Sequence, residues 1–150
     1  MSRKLLRIFL WITAIEAIAF VAGHMISRKM TTGGEYSDDF EIAAILGGKR
    51  FHSMAGALKS GSAVAAMGGL EIDLRDATVD PMGADLDLTA ALGGVRVFVP
   101  GDWAVEVETD AQMGGVDIDV TPGEELPEDA PRLRIHATTR AGGVAVTARD

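Results

Sequence analysis

Cysteine is absent from the 150-residue chain. No disulfide staples it, and no thiolate serves as nucleophile or metal ligand. Aromatic residues make up only 5% and prolines number five, so any core must be assembled from small aliphatic side chains. Positive charge is scarce as well: 14 basic residues face 22 acidic ones, for a net charge of −8. Such a balance provides no phosphate-tracking surface and excludes a nucleic-acid partner. No Gly-x-Ser-x-Gly stretch and no phosphate-binding glycine loop occurs. His24, His52 and His136 are scattered, with no acidic or second histidine partner at metal spacing. The acid pairs Glu71/Asp73, Asp85/Asp87 and Asp117/Asp119 do not follow the Gly-Gly-x-Gly-x-Asp nonapeptide of calcium-binding repeats; they suit a solvated outer face. These absences predict a protein that is not an enzyme and carries no cofactor and no metal.

Glycine is what the chain has in quantity, 18 residues. Ten of them form the five pairs with apolar flanks, Gly47-Gly48, Gly68-Gly69, Gly93-Gly94, Gly114-Gly115 and Gly142-Gly143; Gly33-Gly34 lacks those flanks. Each pair sits between two apolar-alternating stretches, and a repeat of this period predicts stacked coils. Upstream, the positions one, three and five before each pair are mostly apolar, for example Met67, Ala65 and Ala63. That spacing reads as the inner face of a half-buried strand, with Leu46, Met67, Leu92, Met113 and Ala141 as its last inward row. Downstream the alternation restarts with shifted parity: Leu70, Ile72 and Leu74 in the second copy, Val95, Val97 and Val99 in the third. A continuous strand would turn the second set to solvent, so the glycines must make a bulge or corner. Two residues past the pairs lie Arg50, Glu71, Arg96, Asp117 and Ala145. Their alternating signs predict a ladder of coils stacked in chain order.

Residues 1–30 stand apart. Arg3, Lys4 and Arg7 precede a run from Ile8 to Ile26 broken only by Thr13, Glu16 and His24. As a helix over about residues 5–27 it would cross a bilayer, since 19 residues span about 28 Å. Trp11, Arg28 and Lys29 suit the two interfaces. The expected anchor is a single-pass helix. A cleaved signal peptide is the rival, disfavoured by Glu16 and by the lack of a small-x-small cleavage site. Glu16, Ala19 and Gly23 are candidates for a helix–helix contact, with a copy of the chain or with another membrane protein. Residues 31–39 read as a polar linker and 40–150 as the repeat domain. Beyond residue 30 the chain holds nine basic and 21 acidic side chains, a net charge of −12. The last strand, Val144 to Ala148, has no visible cap and is expected to be an open edge.

The runs Leu46-Gly47-Gly48, Gly68-Gly69-Leu-Glu-Ile-Asp-Leu-Arg-Asp-Ala77 and Gly93-Gly94-Val-Arg-Val-Phe-Val-Pro-Gly-Asp-Trp-Ala-Val-Glu-Val-Glu108 resemble the C-terminal domain of LiaF-like proteins, the cell-wall-active antibiotics response family. The resemblance covers about residues 42–120. It implies a β-solenoid-like domain on a membrane anchor and a role in envelope-stress signalling, where founding members restrain a membrane sensor kinase. Those founding proteins have several membrane helices; this chain has one candidate. The resemblance transfers no functional residues, because the shared motif is structural.

The combined expectation is an all-β, single-domain β-solenoid behind one transmembrane helix, acting as a non-enzymatic regulatory or interaction protein at the bacterial cell membrane. Its expected partners are the membrane, a sensor kinase or other membrane protein, and a second copy through the helix or the open terminal strand. The alternative is a self-assembling structural module polymerising through uncapped coils. The slight positive-inside bias places the domain outside the cell; the family resemblance points to the inner side.

Overall fold

The computed structural model describes residues 31–149. The predicted anchor, with Glu16, Ala19 and Gly23, lies outside them. Eight strands follow in order: β1 (Asp39–His52), β2 (Ser60–Asp73), β3 (Ala84–Ala90), β4 (Gly94–Val99), β5 (Ala104–Ala111), β6 (Gly114–Asp119), β7 (Arg132–Thr139) and β8 (Gly142–Ala148). A single 3₁₀ turn spans Gly123–Glu125. The domain is therefore all-β, as expected, and every strand pairing is parallel.

Each Gly-Gly repeat forms one coil. Its upstream half lies in one sheet and its downstream half in another. The long strands β1 and β2 run through both. The upstream halves stack as β1-β2-β3-β7-β5 and the downstream halves as β1-β2-β4-β8-β6. Between the two sheets lies one apolar core, including Ile42, Ala63, Leu88 and Ile135 from the first and Ile72, Val97 and Val146 from the second. Fully burying a leucine, isoleucine or valine contributes about 1.5–3 kcal/mol, and these rows are what hold coil to coil. The connecting segments also stack: Leu58 bridges Val79 in parallel, and Ala55, Leu58 and Ala77 are buried. The polar stretch before β1 is tied to the first coil. Thr32 exchanges both backbone hydrogen bonds with Glu41, and the amide of Met54 donates to the carbonyl of Glu35.

The coils do not stack in chain order. The fifth (β7–β8) is inserted between the third (β3–β4) and the fourth (β5–β6). Side-chain chemistry explains the exchange. In chain order Asp85 and Asp87 of β3 would lie beside Glu106 and Glu108 of β5, placing like charges directly opposite, which is destabilising. Insertion of β7 puts Arg134 between Asp85 and Glu106, and His136 between Asp87 and Glu108. Arg134 contacts Asp85 at 3.3 Å and His136 contacts Glu108 at 3.0 Å. In the other sheet the uncharged β8 takes the interior place, with Val144 and Val146 buried, while the acidic β6 lies at the end, where Ile118 is 44% exposed. The chain accommodates this through the segment 120–131, which steps back one level.

Three expectations are corrected. The ladder runs Arg50, Glu71, Arg96, Ala145, Asp117, so Asp117 does not neighbour Arg96. The terminal strand β8 is paired on both sides, by β4 and β6, and is not open; the strands paired on one side only are β5 and β6 at one end of the stack and β1 at the other. Finally, the row one residue before the glycines is not inward. Met67, Leu92 and Met113 are 51%, 62% and 68% exposed. The corner begins one residue earlier than the alternation suggests, so inward parity ends at Ala44, Ala65, Ala90 and Thr139.

Candidate interaction surface

The two glycines of each pair do different work. The first of each pair stacks on the first of the neighbouring coil. A Cβ on Gly68 would overlap the carbonyl oxygen of Gly47, one on Gly93 that of Gly68, one on Gly142 that of Gly93, and one on Gly114 that of Gly142. Backbone-to-backbone approach this close excludes any side chain. Gly47, at the end of the column, has φ +87°, which also favours glycine.

Stacking does not explain the second glycines. A Cβ on Gly48, Gly69 or Gly115 meets nothing within 4 Å, and on Gly94 or Gly143 it meets only a carbonyl oxygen at 3.7 or 3.6 Å, ordinary contact. None of the five has a positive φ. Together they leave a furrow of bare backbone along the outside of the corner, part of an open groove of about 950 Å³. Five levels at about 4.8 Å each make it about 19 Å long between the first and last coils.

The row Arg50, Glu71, Arg96, Ala145, Asp117 lines the groove on the downstream side. Arg50 and Glu71 pair at 3.3 Å, so these charges partly compensate one another. Two residues upstream of each second glycine stand Leu46, Met67, Leu92, Ala141 and Met113, of which Met67, Leu92 and Met113 are exposed and Leu46 and Ala141 half-buried. Lys49 enters from the β1 end, its Nζ donating to Thr31 Oγ1 at 2.6 Å; partial desolvation lowers its pKa from the usual lysine value. The surface is thus mostly apolar, shallow and long, suited to an extended or helical segment.

Among the described residues no three histidine, cysteine or carboxylate side chains come together at metal-binding distance. His52 contacts Asp76 at 2.7 Å, an exposed pair with no nucleophile in its hydrogen bonds. Nearby, the side-chain hydrogen bonds of Arg75 lower the pKa of Asp73. The Arg75 and Arg149 guanidinium groups lie 5.5 and 6.0 Å from the centre of the Phe98 ring, a cation–π arrangement that orders this outer face.

The ten glycines singled out by the sequence stack in two columns, one of first glycines and one of second glycines. Sequence reasoning missed the outward apolar row. Its signal was present: a corner that changes parity must turn some residues of the alternation outward.

No family model and no curated protein matches the sequence. A solved structure resembles the fold, that of a protein from Clostridium sporogenes described as a "putative cell adhesion protein". The TM-score is 0.56 at 14% identity, over 73% of this chain and 55% of that one. This chain thus spans little more than half of that protein's length, and the likeness is one of fold alone.

Proposed function

We propose that the chain is a non-catalytic interaction protein of the bacterial cell membrane, anchored by residues 1–30, whose repeat domain offers a contact surface in envelope-stress regulation. The observation that carries this reading is the exposed row Met67, Leu92 and Met113 beside a glycine furrow that packing within the described domain does not require. Contiguous exposed apolar surface marks contact sites, and methionine adapts its shape to a partner. The regulatory part rests on the resemblance of the repeats to LiaF-like domains. A membrane sensor kinase is the partner class this implies.

The test is genetic. With the gene deleted, a reporter driven by the host's cell-wall-antibiotic response should change severalfold in basal or induced output. The double substitution Met67→Glu and Leu92→Glu should reproduce the deletion while leaving the circular dichroism of the purified chain unchanged. A reporter indifferent to the deletion contradicts the regulatory reading. A reporter that responds to the deletion but not to the double substitution removes the corner row from it.

A further inference from the structure

The fourth coil leaves β5 and β6 each paired on one side only. Their free edges expose unpaired backbone donors and acceptors. Their inward residues Val105, Val107 and Val116 are only partly buried and Ile118 is 44% exposed, so among the described residues no further level covers the core there. Their outward residues are Glu106, Glu108, Asp110, Asp117 and Asp119. Charge is lopsided throughout this region: residues 97–131 contain ten acidic side chains and no basic one.

We propose that this open end is a β-addition site for a partner protein's extended segment, one that alternates apolar and basic residues. The fold already contains the template. On its occupied edge β5 accepts β7, which sets Leu133 and Ile135 beside Val105 and Val107, and Arg134 and His136 beside Glu106 and Glu108. Outward side chains of β5 are shared by both of its edges, so the free edge asks for the same pattern. Backbone hydrogen bonds supply affinity and alternate side chains supply specificity.

A second copy fits this end poorly. Stacked head to tail in the register used throughout, it sets Asp39 and Glu41 beside Glu106 and Glu108. It gains Arg50 against Asp117 and His52 against Asp119 in return, and Thr32 already pairs with Glu41 at that edge. Two open ends meeting face to face set acid on acid. The same carboxylates that keep copies apart therefore select a basic strand.

The test uses the full chain in neutral detergent micelles. The probe is a capped peptide alternating arginine or lysine with valine over about eight residues, a usual strand length. The basic peptide should bind and slow amide exchange selectively in residues 104–119. A version with glutamate for each basic residue should bind at least about tenfold more weakly, and so should one with a central proline. The double substitution Glu106→Lys and Asp110→Lys should reverse the charge preference without changing the melting temperature by more than a few degrees. Equal binding of the proline peptide means charge attraction without strand addition and overturns the proposal. So does protection outside residues 104–119. Concentration-dependent self-association protecting residues 104–119 without peptide makes a second copy the occupant, and also overturns it.

Discussion

Gly93→Ala is expected to abolish cooperative folding or to cost about 3 kcal/mol or more. Its Cβ would overlap the carbonyl oxygen of Gly68, and Gly142 stacks on Gly93 in turn. The obstacle is the backbone of Gly68, so no side chain can swing away to make room. The matched control is Gly69→Ala. That position meets nothing within 4 Å and has no positive φ. Alanine there should be near neutral or stabilise by about 0.4–1 kcal/mol, because it restricts the unfolded chain. Urea denaturation of the two variants, followed by far-ultraviolet circular dichroism, reads the difference directly. Equal destabilisation by both would mean that the paired glycines share one role, and the furrow would lose its significance.

The second large effect separates an interior level from an end level. Ile135 of β7 is fully buried between β3 and β5, whereas Ile118 of β6 is 44% exposed with β8 on one side only. Ile135→Ala should cost about 2–5 kcal/mol, since the removed atoms leave a cavity that rigid neighbouring strands cannot collapse. The same substitution at Ile118 should cost less than about 1 kcal/mol, because solvent already reaches the side chain. Were the coils stacked in chain order, β6 would be interior and Ile118 would be the costly position. Thermal and urea midpoints of the two single variants provide the comparison.

Much of the architecture was legible in the residues. The Gly-Gly pairs and the alternation around them announce strands and one shared interior, in which the small residues Ala65 and Ala90 are fully buried. The order of the coils was not legible from the ladder Arg50, Glu71, Arg96, Asp117, whose signs favour chain order. The other half of each repeat holds the opposing information. Asp85, Asp87, Glu106 and Glu108 repel across a direct stack, and Arg134 and His136 fit between them. Which strand neighbours which is a non-local choice, decided by comparing both ladders and by the neutrality of β8 against the acidity of β6. No local period encodes it.

The candidate surfaces were legible only in part. The row Leu46, Met67, Leu92, Met113 continues the apolar period of the strand before it, and a continuous strand would have buried it. The corner takes up one residue more than the glycines alone suggest, and the row turns outward. The open end at β5 and β6 follows from the coil order and was hidden with it. Glu16, Ala19 and Gly23 lie outside the described residues, so the proposed anchor rests on its hydropathy and flanking charges alone.

The absence of cysteine from the chain makes the decisive measurement a simple one. Arg96 and Ala145 are register partners on adjacent strands, while Asp117 lies one level beyond Ala145. Adjacent parallel strands are about 4.8 Å apart, within disulfide reach, and two levels are about 9.6 Å, outside the limit of about 7 Å. Cysteines introduced at positions 96 and 145 of the full chain should oxidise to an intramolecular disulfide under mild conditions, and cysteines at 96 and 117 should not. Efficient closure of the 96–117 pair, with failure of the 96–145 pair, would restore chain-order stacking and remove the acidic open end.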